Sequence, residues 1–154
     1  MKGKISDSLF GVVLENTPLV SIDLIIENKN GQILLGLRNN KPAKDFWFIP
    51  GGRIFKDEKL SDAFIRIAEN ELHIELDISS ANFQGVYEHF YEDSFLDDCM
   101  TTHYVVLAYK ISADIDIYSL PLEQHNIYRW FDLEELVTSV NVHHFTKNYF
   151  QRRK

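Results

Sequence analysis

The stretch 51–74, GGRIFKDEKLSDAFIRIAENELHI, carries a Gly-Gly pair, two arginines and three glutamates on what reads as a loop and the helix after it. Leu60, Ala63, Phe64, Ile67, Ala68 and Leu72 recur at helical spacing, so one face of that helix is apolar. Ile67 and Glu71 stand four positions apart, one turn along the same face. A carboxylate there is a hard oxygen donor of the kind Mg2+ takes. Arginine suits phosphate, because its planar fork binds two oxygens at once. Arg38, Arg53 and Arg66 would therefore serve a small anionic ligand if the fold gathers them. A histidine, with an ordinary pKa of about 6.5, can act as a general base, and the chain has six, His125 among them. Asp23 lies among apolar neighbours in SIDLII, and a buried carboxylate there needs a partner.

Each of these residues also has an ordinary reading. An arginine can be a surface ion-pair partner, Gly51 and Gly52 can form a simple turn, and Phe10 can be core. His73, His143 and His144 read as surface or packing residues, and His103 as a satisfied core histidine. Tyr87, Phe90 and Tyr91 form an aromatic group that either lines a pocket or packs an interface.

Composition narrows the classes. The chain has 154 residues, with Lys plus Arg at 16, Asp plus Glu at 23 and a net charge of −7. That balance argues against a general nucleic-acid binder, which needs a basic face. The lone Cys99 cannot form an internal disulfide or a multi-cysteine zinc site. With no apolar leader in MKGKISDSLF and no apolar run of membrane-spanning length, the expectation is a cytoplasmic protein without membrane contact.

The elements that must position these groups follow from periodicity. Residues 7–15 predict a short helix with Leu9, Phe10, Val13 and Leu14 on one side. PLVSIDLIIEN, KNG and QILLGLRNN read as a β-hairpin turned at Asn30-Gly31. FWFIP is a short strand leading into a Gly51-Gly52 loop. FQGVYEHFY and TTHYVVLAYKI are strands; the second is apolar on both faces and so belongs inside the sheet. IYRWF is another strand. Asp132 with Glu135 predicts a capping box opening a helix through Val140, and a last helix is expected over 141–152. The fold class expected is α/β (α+β), one domain over residues 1–154 with a mixed β-sheet sandwiched between helices.

Residues 51–74 resemble the Nudix box, a loop–helix–loop that holds a divalent metal against a diphosphate. Gly52, Glu58, Arg66, Ala68, Glu71 and Ile74 fit its pattern, whereas Ile67, Asn70 and His73 stand where the family has Glu, Glu and Gly. With TPLVSIDLIIEN, LLGLRNNKPAKDFWFIPGGR, YEHFYED, TTHYVVL and EQHNIYRW, the chain resembles the branch of the Nudix hydrolase family that cleaves GDP-mannose to GDP and mannose. That resemblance implies one Mg2+ per subunit, replaceable by Mn2+, held by Glu71, Gln124 and the carbonyl of Gly51. It implies Arg38 and Arg53 on the diphosphate and Tyr104 donating to the leaving phosphate. Arg66 would help neutralise charge or orient Glu71. His125 is the implied base, Asp23 and His89 the sugar contacts, and Phe10 the platform under guanine. Water would attack the anomeric carbon with inversion, GDP-glucose being a second substrate and a homodimer the assembly. Two alternatives stay open: a pyrophosphohydrolase attacking phosphorus, against which the missing helix glutamates argue, and a non-catalytic nucleotide-sugar binder, against which Glu71, Gln124, His125 and the arginines argue.

Overall fold

The structure is a computed structural model that describes residues 4–123 and 125–151. Its elements run α1 (Asp7–Asn16), β1 (Leu19–Glu27), β2 (Ile33–Arg38), β3 (Trp47–Phe48), β4 (Gly51–Arg53), α2 (Leu60–Leu72), β5 (Asn82–Tyr91), β6 (Thr102–Ser112), β7 (His125–Phe131), α3 (Leu133–Thr138) and α4 (His144–Asn148). The expected mixed sheet between helices is what forms. Its main path is β3-β2-β1-β6-β5, with β4 added to β1 and β7 added to β2. β1 and β6 run parallel from Leu19↔Tyr104 to Glu27↔Ser112, and the other pairs are antiparallel.

Side-chain alternation along β1 divides the core between the two faces. Ile22, Leu24 and Ile26 pack under α2 with Phe64, Ile67 and Leu72, while Ile25 packs with Phe48, Ile49, Phe131, Leu136 and Phe145 on the side of α3 and α4. Fully burying side chains of this size stabilises by about 1.5–3 kcal/mol each, before the entropy of ordering them. β6 is interior, as its double apolar pattern predicts. It lies between β1 and β5, with Ala108 facing one cluster and Tyr109 the other.

The hairpin expected from Asn30-Gly31 forms only at its tip. Gly31 takes φ +75°, the Asn28 carboxamide caps Asn30 N–H and Gln32 N–H, and Glu27↔Ile33 is the register pair joining β1 to β2. Beyond it the strands diverge. β4 occupies the space beside β1 through Ser21↔Arg53 and Asp23↔Gly51, and β7 lies beside β2 from Ile33↔Phe131 to Arg38↔His125. Gly51-Gly52 is thus a short strand, not the loop expected. It was unreadable locally because its hydrogen-bond partner is a strand some thirty residues earlier.

Three other expectations are corrected. Asp132 stands at the N-cap of α3 but makes no capping bond, its carboxylate accepting from Gln32 Nε2 instead, and Glu135 pairs with Arg129. The final helix is five residues, His144–Asn148, not 141–152, and residue 152 lies outside the described part. On α1 the buried positions are Gly11 and Leu14, while Leu9 is 52% exposed. Among the described residues no helix is long and apolar enough to cross a membrane.

Candidate functional site

The gap between β1 and β2 is where the candidate residues meet. Three cavities adjoin there and share lining residues. The central one, about 230 Å³, is walled by Asp23, His89, Tyr91, Gly51 and Phe48. Arg38 and Tyr104 line both this cavity and a second of about 690 Å³ that includes Phe10, Lys41, Lys44 and Phe95. Gly52 and Arg53 line both the first and a third of about 530 Å³, beside Arg66, Glu69, Asn70, Glu71 and Glu123. Arginine therefore stands at each junction, where a chain of phosphates crossing between the cavities would meet it.

The loop before α2 is fixed by one carboxylate. Glu58 accepts from Phe55 N–H at 2.9 Å and takes Arg66 on both oxygens, from Nε at 2.6 Å and Nη2 at 2.9 Å. The Arg66 Nη2 also donates to the Arg53 carbonyl at 2.8 Å, and its guanidinium lies 3.9 Å over the Phe55 ring. Arg66 holds the loop to the helix. The paired guanidinium, its largest influence, keeps Glu58 below the usual carboxylate range. The Gly52 backbone in turn rests on Ile67: a Cβ at Gly52 would lie 3.0 Å from Ile67 Cγ1. Ile67 is 1% exposed within the core, so the position that would hold a family glutamate is here a packing surface. His73 closes α2 with φ +52°, the left-handed conformation that glycine takes without cost.

Glu71, 5% exposed, faces the third cavity, and its Oε2 lies 3.7 Å from His125 Nε2. The oxygen donors around it suit a hard divalent cation. Among the described residues no group of three or more His, Cys, Asp or Glu side chains is arranged to hold a metal ion. Ligation would thus draw on Glu71 and on uncharged oxygens such as the Gly51 carbonyl. Gln124, the third expected ligand, lies outside the described residues. His125 is sealed, 1% exposed, with its ring against Gly36, where any Cβ would collide with it, and 5.3 Å from the Tyr128 ring. Burial pushes its pKa down to about 4, Arg38's charge adding and the Gly36 backbone opposing. The imidazole is therefore neutral at neutral pH, the form that can accept a proton.

The opposite wall is aromatic. Asp23, 7% exposed, accepts a hydrogen bond from the Tyr149 hydroxyl, whose oxygen also lies 3.2 Å from His89 Nε2. Burial raises Asp23 to about 7 against the opposing pull of Tyr149 and Arg38. His89 is 3% exposed and stacked on Phe145 at 4.4 Å, and burial lowers it to about 3. Gly51 is required here, since a Cβ would lie 2.5 Å from the Ile22 carbonyl oxygen.

The fold thus brings together Asp23, His89, Arg38, Arg53, Tyr104 and Gly51, and on the adjoining side Arg66, Glu71 and His125. Arg38 is steadied by Nε donating to the Pro42 carbonyl at 3.0 Å. Burial raises the Tyr104 phenol, which stays protonated and able to donate. Phe10 lines the second cavity, 5.5 Å from Phe95 and under the Arg53 guanidinium at 4.9 Å. Tyr149, Phe95 and Glu58's clamp on Arg66 were not singled out from sequence. Tyr149 and Asp23 are 126 positions apart, and no local pattern couples them.

The profile of the NUDIX domain matches residues 17–152. A curated relative, the low-salt glycan biosynthesis protein Agl8 of Haloferax volcanii, is 41% identical over 113 residues, spanning 73% of this chain and 70% of that one. Among solved structures, the MutT NUDIX hydrolase of Burkholderia pseudomallei superposes with a TM-score of 0.70 at 24% identity, covering 90% of this chain and 100% of that one. The NUDIX domain of Shewanella oneidensis NrtR, solved with ADP ribose, gives 0.65 at 15% identity, covering 95% and 97%.

Proposed function

This chain belongs to the NUDIX family, and from that premise we propose that it hydrolyses GDP-mannose, and GDP-glucose as well, to GDP and the free sugar by attack of water at the anomeric carbon. The observation that carries the reading is the contrast at the cleft. α2 turns Ile67 into the core and lines the third cavity with Glu69 and the buried Glu71, and among the described residues no group of three or more His, Cys, Asp or Glu side chains is arranged to hold a metal. The central cavity sets the hydroxyl-binding groups Asp23, His89 and Ser21 beside Arg38 and Arg53. Attack on phosphorus by clustered metals needs several carboxylates along the helix. Departure of GDP from a sugar carbon needs only stabilisation of charge on the outer phosphate, whose second pKa of about 6 makes it a good anionic leaving group. No general acid is then required, unlike most glycoside hydrolysis.

In this reading Arg38 and Arg53 hold the diphosphate at the cavity junctions and Tyr104 donates to the leaving oxygen. Glu71, the Gly51 carbonyl and Gln124 would hold one Mg2+, which as a Lewis acid supplies further charge stabilisation when bound. Arg66 acts indirectly, by fixing Arg53's backbone and the start of α2. Asp23 and His89 take the sugar hydroxyls, and Phe10 with Phe95 flanks the base. His125 accepts the proton of the attacking water; since its ring is sealed against Gly36, that role requires the imidazole to reach the cleft when ligand binds. The relative's name, a glycan biosynthesis protein, agrees with a nucleotide-sugar substrate. The exposed Leu9 and Val12 of α1 suit burial in a homodimer.

Turnover in ¹⁸O-labelled water tests the reaction. Label on the released sugar is expected. Label on a phosphate would instead assign a pyrophosphohydrolase, and no turnover would leave a binding protein.

A further inference from the structure

We propose that Tyr149, from the turn after α4, is a positioning residue that locks Asp23 and His89 into one sugar-reading unit. This rests on the function proposed above and extends it to a residue far along the chain. The phenol oxygen is the meeting point: it hydrogen-bonds Asp23 Oδ2 and lies 3.2 Å from His89 Nε2. A hydroxyl has one proton to give. Where Asp23 is ionised, above about pH 7, its carboxylate only accepts, so that proton goes to Asp23, and the lone pair left on the phenol receives the proton on His89 Nε2. His89 is thereby fixed as the Nε2–H tautomer, and Asp23 keeps Oδ1 free of Tyr149 for a ligand hydroxyl.

The surroundings hold Tyr149 independently of its hydroxyl. Its ring packs edge-on against Tyr87 at 4.6 Å, and the adjacent His89 ring is stacked on Phe145 with an interplanar angle of 6°. Removing the hydroxyl therefore leaves the wall standing while releasing both groups that it ties. Neither Asp23 nor His89 can then be relied on to face a sugar hydroxyl in a single orientation, and a site for neighbouring hydroxyls loses definition more than it loses room. Arg38, Arg53 and the Phe10 end of the cleft are untouched by this change, so the nucleotide half should bind as before.

The experiment is Tyr149→Phe in the full-length chain, read three ways. First, imidazole ¹⁵N NMR of the ligand-free protein in mildly alkaline buffer should show His89 as the Nε2–H tautomer, with a mixed or inverted tautomer in the variant. Second, KM for GDP-mannose should rise about tenfold, the scale expected for losing a hydrogen bond to a charged group, while kcat changes much less. Third, the Kd for GDP, which lacks the sugar, should match wild type. An unchanged tautomer together with an unchanged KM overturns the proposal. A KM rise matched by an equal loss of GDP affinity also overturns it, because Tyr149 would then be holding the whole cleft. If wild type turns over no nucleotide-sugar, the reading of function fails, and the tautomer still decides whether Tyr149 orders this wall.

Discussion

The two sides of the split sheet handle buried charge in opposite ways. On the side of α2 the carboxylate of Glu58 is clamped by the charged Arg66, while Glu71 lies 3.7 Å from the neutral imidazole of His125. On the side of α4, Asp23 is held by the neutral Tyr149 hydroxyl among aromatic rings, and the His89 imidazole on the same hydroxyl is uncharged. The guanidinium pair keeps Glu58 ionised, and oxygen donors such as Glu71 suit a cation. A wall of neutral donors and acceptors around one carboxylate suits a ligand of hydroxyl groups. The nucleotide-sugar proposed above would use both walls at once, its phosphates on one and its uncharged sugar on the other.

The comparison can be broken most decisively at the α2 wall. His125→Gln should lower turnover by about 10²–10⁴-fold, the usual worth of general base catalysis, while substrate still binds. Unchanged turnover would move the base elsewhere. Glu71→Gln should abolish the response to Mg2+ in a titration, and wild-type affinity would remove it from the ligand set.

A second contrast concerns stability. Glu58→Gln breaks a charged, two-pronged pair whose side chains are 28% and 15% exposed. The expected loss is about 1–3 kcal/mol, measured by chemical denaturation. Glu58's folded pKa is depressed, so its contribution is fully present above the ordinary carboxylate value and disappears only in more acid solution as pH falls through the folded value.

The α4 wall should weaken sooner on acidification than the Glu58 clamp. His143 is buried beside His144, Phe46, Phe48 and Tyr91, and burial, then the charges of His144 and Arg38, lowers it to about 4. As pH falls below about 6.5 the unfolded chain takes up a proton that the folded protein refuses, so stability declines until about pH 4 and is unaffected above 6.5. His143→Asn can keep the acceptor that His143 Nδ1 offers to Phe145 N–H. Between neutral and mildly acid solution it should lose about 1–2 kcal/mol less than wild type in thermal melts. Parallel curves would mean that this wall does not set acid stability. The smallest effect belongs to His73→Gly, which relieves a left-handed residue at the end of α2 and should raise stability by up to about 1 kcal/mol.

What was legible in the sequence follows from range. α2, the Asn30-Gly31 tip and the interior position of β6 rest on periodicity and turn chemistry, which neighbours in sequence supply. Arg38, Arg53, Asp23 and His89 were legible as candidates through resemblance, and the fold gathers them around one cavity. β4, Tyr149 and the diverted Asp132 were not legible, because each is decided by a distant partner: β1, Asp23 and Gln32 respectively. The capping box is the clearest case. Its residues are present at the right spacing, and tertiary partners take both side chains.

The divergence of β1 from β2 has one more consequence. The opening between them is bordered by β4 and β7, and the strand bearing His125 reaches Arg38 only after more than eighty residues have intervened. Such distant pairings are slow to form, since chain entropy must be spent before any contact repays it. A nascent chain ending before β7 would hold Arg38 and Arg53 without the imidazole of His125. Closure of this opening therefore waits for the late strand, which also brings Phe131 and the helices carrying Leu136 and Phe145 onto Ile25.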